Sequence, residues 1–378
     1  MKQERFKMTG PAAVILTALV MAFAGSARPA VAGNHKMSIS FSGYTNRTEN
    51  LTDFPVLLVL SNGVGGSSFN FGTYPFLSTN GYDLRIYTNE AGTGAGLNYE
   101  IERWDTNTAS YVWVQVPELL SNGTSVVWAK WGDTENSGQL PCTTNGATWG
   151  NGFTGVWHLK ETSGAHQDST SNLFNSTTIS VALQGSATGM VDGADCLNGS
   201  AQRVIVPALN LNANTVTITA CVNGHQNADW VGIVCSRAGD TKAGILSVGN
   251  NVRYNWNDST YTWVSGLAIP TDQPAYLALA VSANNAVGYV NGSAASNTVA
   301  HAIEEFNGET DFGLDRYDTS VRRWIGVIDE VRISKATRSG NWLWAEWMNM
   351  ASNTVFNSYG TVATEQTEQT DGLYFFLR

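Results

Sequence analysis

From Met37 to Ile333 the chain repeats one pattern: short runs in which apolar and polar residues alternate, each closed by a cluster of Gly, Asn or Thr. Met37-Ser-Ile-Ser-Phe41, Tyr111-Val-Trp-Val-Gln-Val116, Val216-Thr-Ile-Thr-Ala-Cys-Val222 and Tyr276-Leu-Ala-Leu-Ala-Val281 are examples. A period of two places successive side chains on opposite faces of a strand, and runs of this length leave no room for long helices. The pattern therefore predicts an all-β protein of two tandem β-sandwiches, with 38 glycines available for the turns. One helix is expected, from Asn341 to Met350, with Ser339 as its cap and Trp342, Ala345 and Trp347 facing a core.

Spacing suggests the division. Residues 1–32 read as an export signal: Lys2, Arg5 and Lys7 precede an apolar run from Ala12 to Ala24, and Ala30-Val31-Ala32 supplies small residues for cleavage. The mature chain is then expected to be secreted, outside the cell or on its surface, with no membrane insertion. A first β-sandwich is expected over 37–135, a linker over 136–148, a jelly roll over 149–360, and a polar tail with an apolar end over 361–378. Only 14% of the residues are charged and the net charge is −10, which argues against a nucleic-acid partner. The four cysteines, Cys142, Cys196, Cys221 and Cys235, lack zinc-site spacing; a bridge between Cys221 and Cys235 and free thiols are both open.

Two resemblances follow from particular motifs. Thr52-Asp-Phe-Pro-Val-Leu-Leu-Val-Leu60, Asp83-Leu-Arg-Ile-Tyr87, Asn98-Tyr-Glu-Ile-Glu-Arg-Trp104, Val112-Trp-Val-Gln-Val-Pro117 and Trp131-Gly-Asp133 occur in the order seen in the domain of unknown function 2341, which residues 37–135 resemble. Gly155-Val-Trp-His-Leu-Lys-Glu161, Asp168-Ser-Thr-Ser-Asn172, Gly288-Tyr-Val-Asn-Gly292 and Gly326-Val-Ile-Asp-Glu-Val-Arg-Ile-Ser334 resemble the laminin-G-like, concanavalin A-like jelly rolls. The second resemblance implies recognition but no particular ligand; the favoured partner is a glycan or another surface macromolecule.

Candidate chemistry is sparse. Tyr254 and Trp256 share one strand face, as do Tyr261 and Trp263, and such rows either stack on sugar rings or pack a core. Core packing is the first reading and sugar stacking the second. Glu100 and Glu102 share a face and could mimic a glycosidase pair, but a solvated strand face is the simpler expectation. Along Ile325 to Ile333, strict alternation puts Asp329 on the apolar face with Val327 and Val331, and Glu330 on the other. A carboxylate among core residues needs compensation, so a structural calcium held by Asp168, Asn172 and Asp329 is expected, with hydrogen bonding or an Arg partner as the competing account. No nucleophile elbow, His-Glu-x-x-His or phosphate loop occurs. The favoured reading is an exported binding or adhesion protein. A polysaccharide hydrolase or lyase, and a structural envelope or appendage subunit, are the competing classes.

Overall fold

The computed structural model describes residues 34–224, 228–239, 241–257, 259–260 and 263–365. The expected export signal, Tyr261 and the apolar end from Leu373 lie outside the described residues. Among the described residues the elements are 23 strands, all paired antiparallel, with two α-helices and five 3-10 turns, and the strands form tandem β-sandwiches.

The first sandwich pairs a sheet built from Asn34–Ser40, Val126–Trp131 and Arg85–Tyr87 with a three-stranded sheet of Leu51–Leu60, Ser110–Leu119 and Tyr99–Arg103. The jelly roll has a seven-stranded and an eight-stranded sheet. At the centre of the larger one, Val216–Gly224 pairs with Ala275–Ser282 on one side and Ile325–Ser334 on the other. Phe153–Trp157 adds to the far end of Ile325–Ser334.

Alternation along Ala275–Ser282 shows how the two units meet. Ala275, Leu277, Leu279 and Val281 enter the jelly-roll core. Tyr276, Ala278 and Ala280, between them, join the core that contains Phe54, Leu57 and Trp113 of the first sandwich. A strand apolar on both sides belongs to a sheet covered on both faces. The outer face of the large sheet is thus an internal surface of the protein.

The expected helix forms as Gly340–Ala351, and Ser339 Oγ accepts from the Trp342 N–H. Its partner is the first sandwich. Asn349 Oδ1 accepts from the Leu57 N–H at 2.5 Å, and Asn353 and Asn357 donate to the Leu57 carbonyl. The chain then adds Ser358–Tyr359 and Ala363–Glu365 to the edge of Asn34–Ser40. Residues expected to finish the jelly roll therefore complete the other sandwich, because three asparagines satisfy strand groups that no neighbouring strand reaches.

One phase error also appears. In the register of Ile325–Ser334 against Val216–Gly224, Thr219 lies opposite Arg332 and Cys221 opposite Asp329. Two residues, Glu330 and Val331, therefore face one, and Glu330 has φ +50. Such a bulge shifts the alternation by one residue. Ile328, Val331 and Ile333 enter the jelly-roll core, while Asp329 neighbours Cys221 and Met190 at the outer face. This corrects the expected placement of Asp329 with Val327 on the core face.

Cys221 and Cys235 lie in different sheets, and all four cysteines are free. Denaturation without reductant, followed by thiol titration, should therefore release four thiols per chain; two would show that a bridge forms.

Candidate functional site

The polar side chains converge where the outer face of the large sheet meets the three-stranded sheet. Glu100 and Glu102 come from Tyr99–Arg103, Trp113 from the neighbouring strand, His158 from just beyond Phe153–Trp157, and Glu330 and Arg332 from the bulged strand. His158 is the hub. Its Nδ1 lies 2.6 Å from Glu330 Oε1 and 3.5 Å from Glu102 Oε2, and its Nε2 is 3.7 Å from Glu100 Oε2.

A second layer holds these groups in place. Trp113 Nε1–H donates to Glu102 Oε2 at 2.6 Å, Trp149 Nε1–H to Glu100 Oε2 at 2.5 Å, and Ser169 Oγ to Glu100 Oε1. Arg332 donates to Glu330 Oε2 at 2.6 Å, and its guanidinium lies over the Trp113 and Trp149 rings at 4.4 and 4.9 Å. Glu346 of the helix approaches Arg332 at 3.5 Å and accepts from Tyr276 and Trp342. Lys160 donates to the Glu102 carbonyl.

Electrostatics differentiate the carboxyls. Burial pushes Glu330 upward, but His158 and Arg332 outweigh it and bring its pKa down to about 2. Glu100 is also lowered, the penalty of burial being overcome by His158, Lys160 and Trp149. Glu102 goes the other way, up to about 7, because burial and the nearby Glu330 outweigh the pull of His158. His158 is held well above its ordinary value: burial opposes its charge, but the surrounding Glu330, Glu102 and Glu100 dominate.

The solvated-face expectation for Glu100 and Glu102 is thus overturned. The two do share a face, but that face is roofed by the jelly roll, and Glu102 is only 4% exposed. His158, Glu330 and Arg332 were not legible as a site, since His158 lies 172 residues before Glu330. Their one signal was the pair of charges, two residues apart, on the outward side of an otherwise apolar strand.

Beside this cluster a cleft of about 390 Å³ opens to solvent. Glu100 reaches it from the first sandwich, Thr144 and Trp149 from the connecting turns, and Glu161, Gln167 and Leu173 from jelly-roll loops. Leu173 is 66% exposed at its rim. Glu161 bonds the buried His166, which also meets Asp195. Burial raises Glu161, but His166 and backbone N–H groups overcome this and lower it.

The residues expected to bind sugar or metal are placed elsewhere or are already engaged. Tyr254 and Trp256 are wholly buried in the jelly-roll core: the Tyr254 hydroxyl meets His301 and Asn297, and Trp256 Nε1–H donates to the Ala302 carbonyl. This corrects the stacking alternative for both, since neither ring face reaches solvent. Trp263 is half-buried, edge-on to Tyr254 at 5.7 Å. Asp168 lines the cleft, and each of its oxygens already accepts from two donors among Val156, Thr170 and Phe174. Asn172 donates to the Thr154 carbonyl. Asp329 accepts instead from the Met190 and Val191 N–H groups and lines a different small cavity. Burial and Glu330 push its carboxyl well above the ordinary range. Among the described residues Asp168 and Asp329 share no partner: Asp168 is met on both oxygens by backbone groups and the Thr170 hydroxyl, whereas Asp329 has two backbone donors on Oδ2 and none on Oδ1.

Among the described residues no helix is long and apolar enough to cross a membrane. No curated protein matches the chain in sequence. Among solved structures, domain 4 of an extracellular GH43 arabinanase from Geobacillus stearothermophilus, in complex with arabinotriose, is similar at 21% identity and a TM-score of 0.43, over 53% of this chain and 98% of that one. Trypanosoma rangeli sialidase in complex with sialic acid is similar at 11% identity and a TM-score of 0.41, over 72% of this chain and 44% of that one. The botulinum neurotoxin serotype D binding domain is similar at 14% identity and a TM-score of 0.37, over 52% of this chain and 51% of that one. The chain thus spans about half or less of the last two. Family models place the domain of unknown function DUF2341 at residues 80–149 and, after it, a domain of the concanavalin A-like lectin/glucanases superfamily at residues 198–343.

Proposed function

We propose that the protein is an exported glycan-binding module that holds a saccharide in the cleft between its two sandwiches without cleaving it. The superfamily to which residues 198–343 are matched includes both lectins and glucanases, so the choice rests on the cleft itself. Its lining supports recognition: Gln167, Ser169, Thr144 and Lys160 offer donors and acceptors for hydroxyls, and Leu173 offers an apolar patch for a sugar C–H face.

The observation that carries the reading is the state of the three carboxyls in the cleft, Glu100, Glu161 and Asp168. A hydrolase needs one carboxylic acid still protonated near neutral pH to protonate the leaving oxygen. Glu100 and Glu161 are both lowered, so both are anions. Burial raises Asp168, but each of its oxygens already accepts from two donors, so it has no free oxygen to carry a proton to a leaving group; Glu102, raised to about 7, is buried and does not line the cleft.

A glycan array on the protein, with reducing-sugar release measured on every hit, tests this reading. Thr144 is exposed at the cleft, and Thr144→Trp should fill it and weaken binding at least roughly tenfold, equivalent to about 1.4 kcal/mol, with an unchanged melting temperature. Undiminished binding by Thr144→Trp would place the ligand elsewhere, and released reducing ends would make the protein an enzyme.

A further inference from the structure

We propose that Glu102, His158 and Glu330 form a site for one divalent transition-metal cation of the zinc class, held between the two sandwiches. One ligand atom from each residue lies within 4.8 Å of the others, and all three side chains are buried. The set crosses the interface, with Glu102 from the first sandwich and His158 and Glu330 from the jelly roll.

The hydrogen bonding around the three is that of ligands awaiting an ion. Glu102 Oε1 has no hydrogen-bond partner among the described residues although the residue is 4% exposed. A buried polar atom left in that state costs about 1–3 kcal/mol, more if charged, so an isolated salt-bridge cluster accounts for it poorly. Metal-binding histidines usually point their second ring nitrogen at a carboxylate, which fixes the ring and raises its basicity. With the metal at Nδ1, Nε2 points toward Glu100 Oε2 at 3.7 Å, so a small shift of the ring would bring Glu100 into that role. Arg332 holds the second oxygen of Glu330, and Trp113 holds Glu102 Oε2, leaving Oε1 open.

Charge points the same way. Glu100, Glu102 and Glu330 crowd around the single imidazole of His158, and Arg332 holds Glu330 from its far side. One imidazole with two carboxylates suits zinc and its transition-metal neighbours, whereas calcium favours all-oxygen shells. This site is distinct from the glycan cleft, which none of the three residues lines.

The test uses the full chain, stripped by unfolding with a strong chelator and refolded with zinc, cobalt(II) or calcium. The expected result is one equivalent of zinc per folded chain by elemental analysis after gel filtration, and a visible cobalt absorption band. Calcium should not be retained. Zinc should also raise the wild-type melting temperature by several degrees. Glu102→Gln keeps the size of the side chain and an acceptor for Trp113; it should fold yet lose the cobalt band and at least roughly 90% of the bound zinc, and His158→Gln should do the same. Refolded wild type without zinc or cobalt would overturn the site, as would equal metal retention in a folded Glu102→Gln variant.

Discussion

Replacing Arg332 with Leu should destabilise the protein by about 3 to 5 kcal/mol, seen as a lower guanidinium midpoint by tryptophan fluorescence. The figure is the usual cost of removing one member of a buried ion pair, because the partner charge stays in a medium that does not solvate it. Arg332 is 2% exposed and serves two carboxylates, Glu330 at 2.6 Å and Glu346 at 3.5 Å. It is also the filling between Trp113 and Trp149, so leucine loses cation–π contact as well as charge. Glu330 would retain His158, and Glu346 would retain Tyr276 and Trp342, which keeps the loss below that of a wholly orphaned pair of charges. The same reasoning makes a second, opposite prediction for the combined change of Arg332, Glu330 and Glu346 to apolar residues of similar volume. Desolvation and attraction then disappear together, and the triple variant should be closer in stability to the parent than Arg332→Leu is. A loss under about 1 kcal/mol for Arg332→Leu would mean that water reaches the guanidinium and that the interface is looser than described.

What could be read in the sequence followed the local rules. Period-two alternation located Val216–Gly224 and Ala275–Ser282, and the Ser339 cap located the helix, because each depends on neighbours in the chain. The two resemblances were carried by motifs that lie within single strands and turns. The interface was not legible for the opposite reason. Whether Glu102 lies in water or under a second domain depends on residues more than fifty positions away, and period two is identical in both cases. Ala278 and Ala280 beside Tyr276 were the available hint, since an outward face of small apolar residues predicts a cover. Asp329 failed through a single bulge: one extra residue at Glu330 leaves the composition unchanged and reverses the faces on one side of it. The aromatic row was ambiguous in principle, because stacking on sugar and packing in a core require the same residues at the same spacing. Burial alone separates them, and it assigns Tyr254 and Trp256 to the core.

Residues 34–135 expressed alone should fail to fold, although they contain every strand of the first sandwich that its sequence motifs suggested. The reason lies in residues 339–365. Trp342, Leu343, Ala345, Met350, Phe356 and Tyr359 are buried in the same core as Phe41, Tyr44, Phe54 and Leu57. Phe54 meets Trp342 edge-on at 4.9 Å. Gly43 approaches the Phe356 backbone so closely that a Cβ there would lie 2.5 Å from its Cα. Burying each large apolar side chain contributes about 1.5–3 kcal/mol, so the five large ones together match the roughly 5–15 kcal/mol by which a domain is stable. Backbone groups are lost as well. The Leu57 N–H and carbonyl depend on Asn349, Asn353 and Asn357, and the Val59 N–H donates to the Tyr359 hydroxyl. The fragment should therefore give a broad, non-cooperative thermal transition and rapid proteolysis. Joining residues 339–365 to its C-terminus through a flexible linker should restore a sharp transition, since the missing segment docks on its own side of the sandwich. A cooperative transition from residues 34–135 without that segment would show that the strands suffice and that the helix merely covers them. A fused fragment that stays unfolded would place the missing stability in the jelly-roll face, where Tyr276, Ala278 and Ala280 close the same core from the other side.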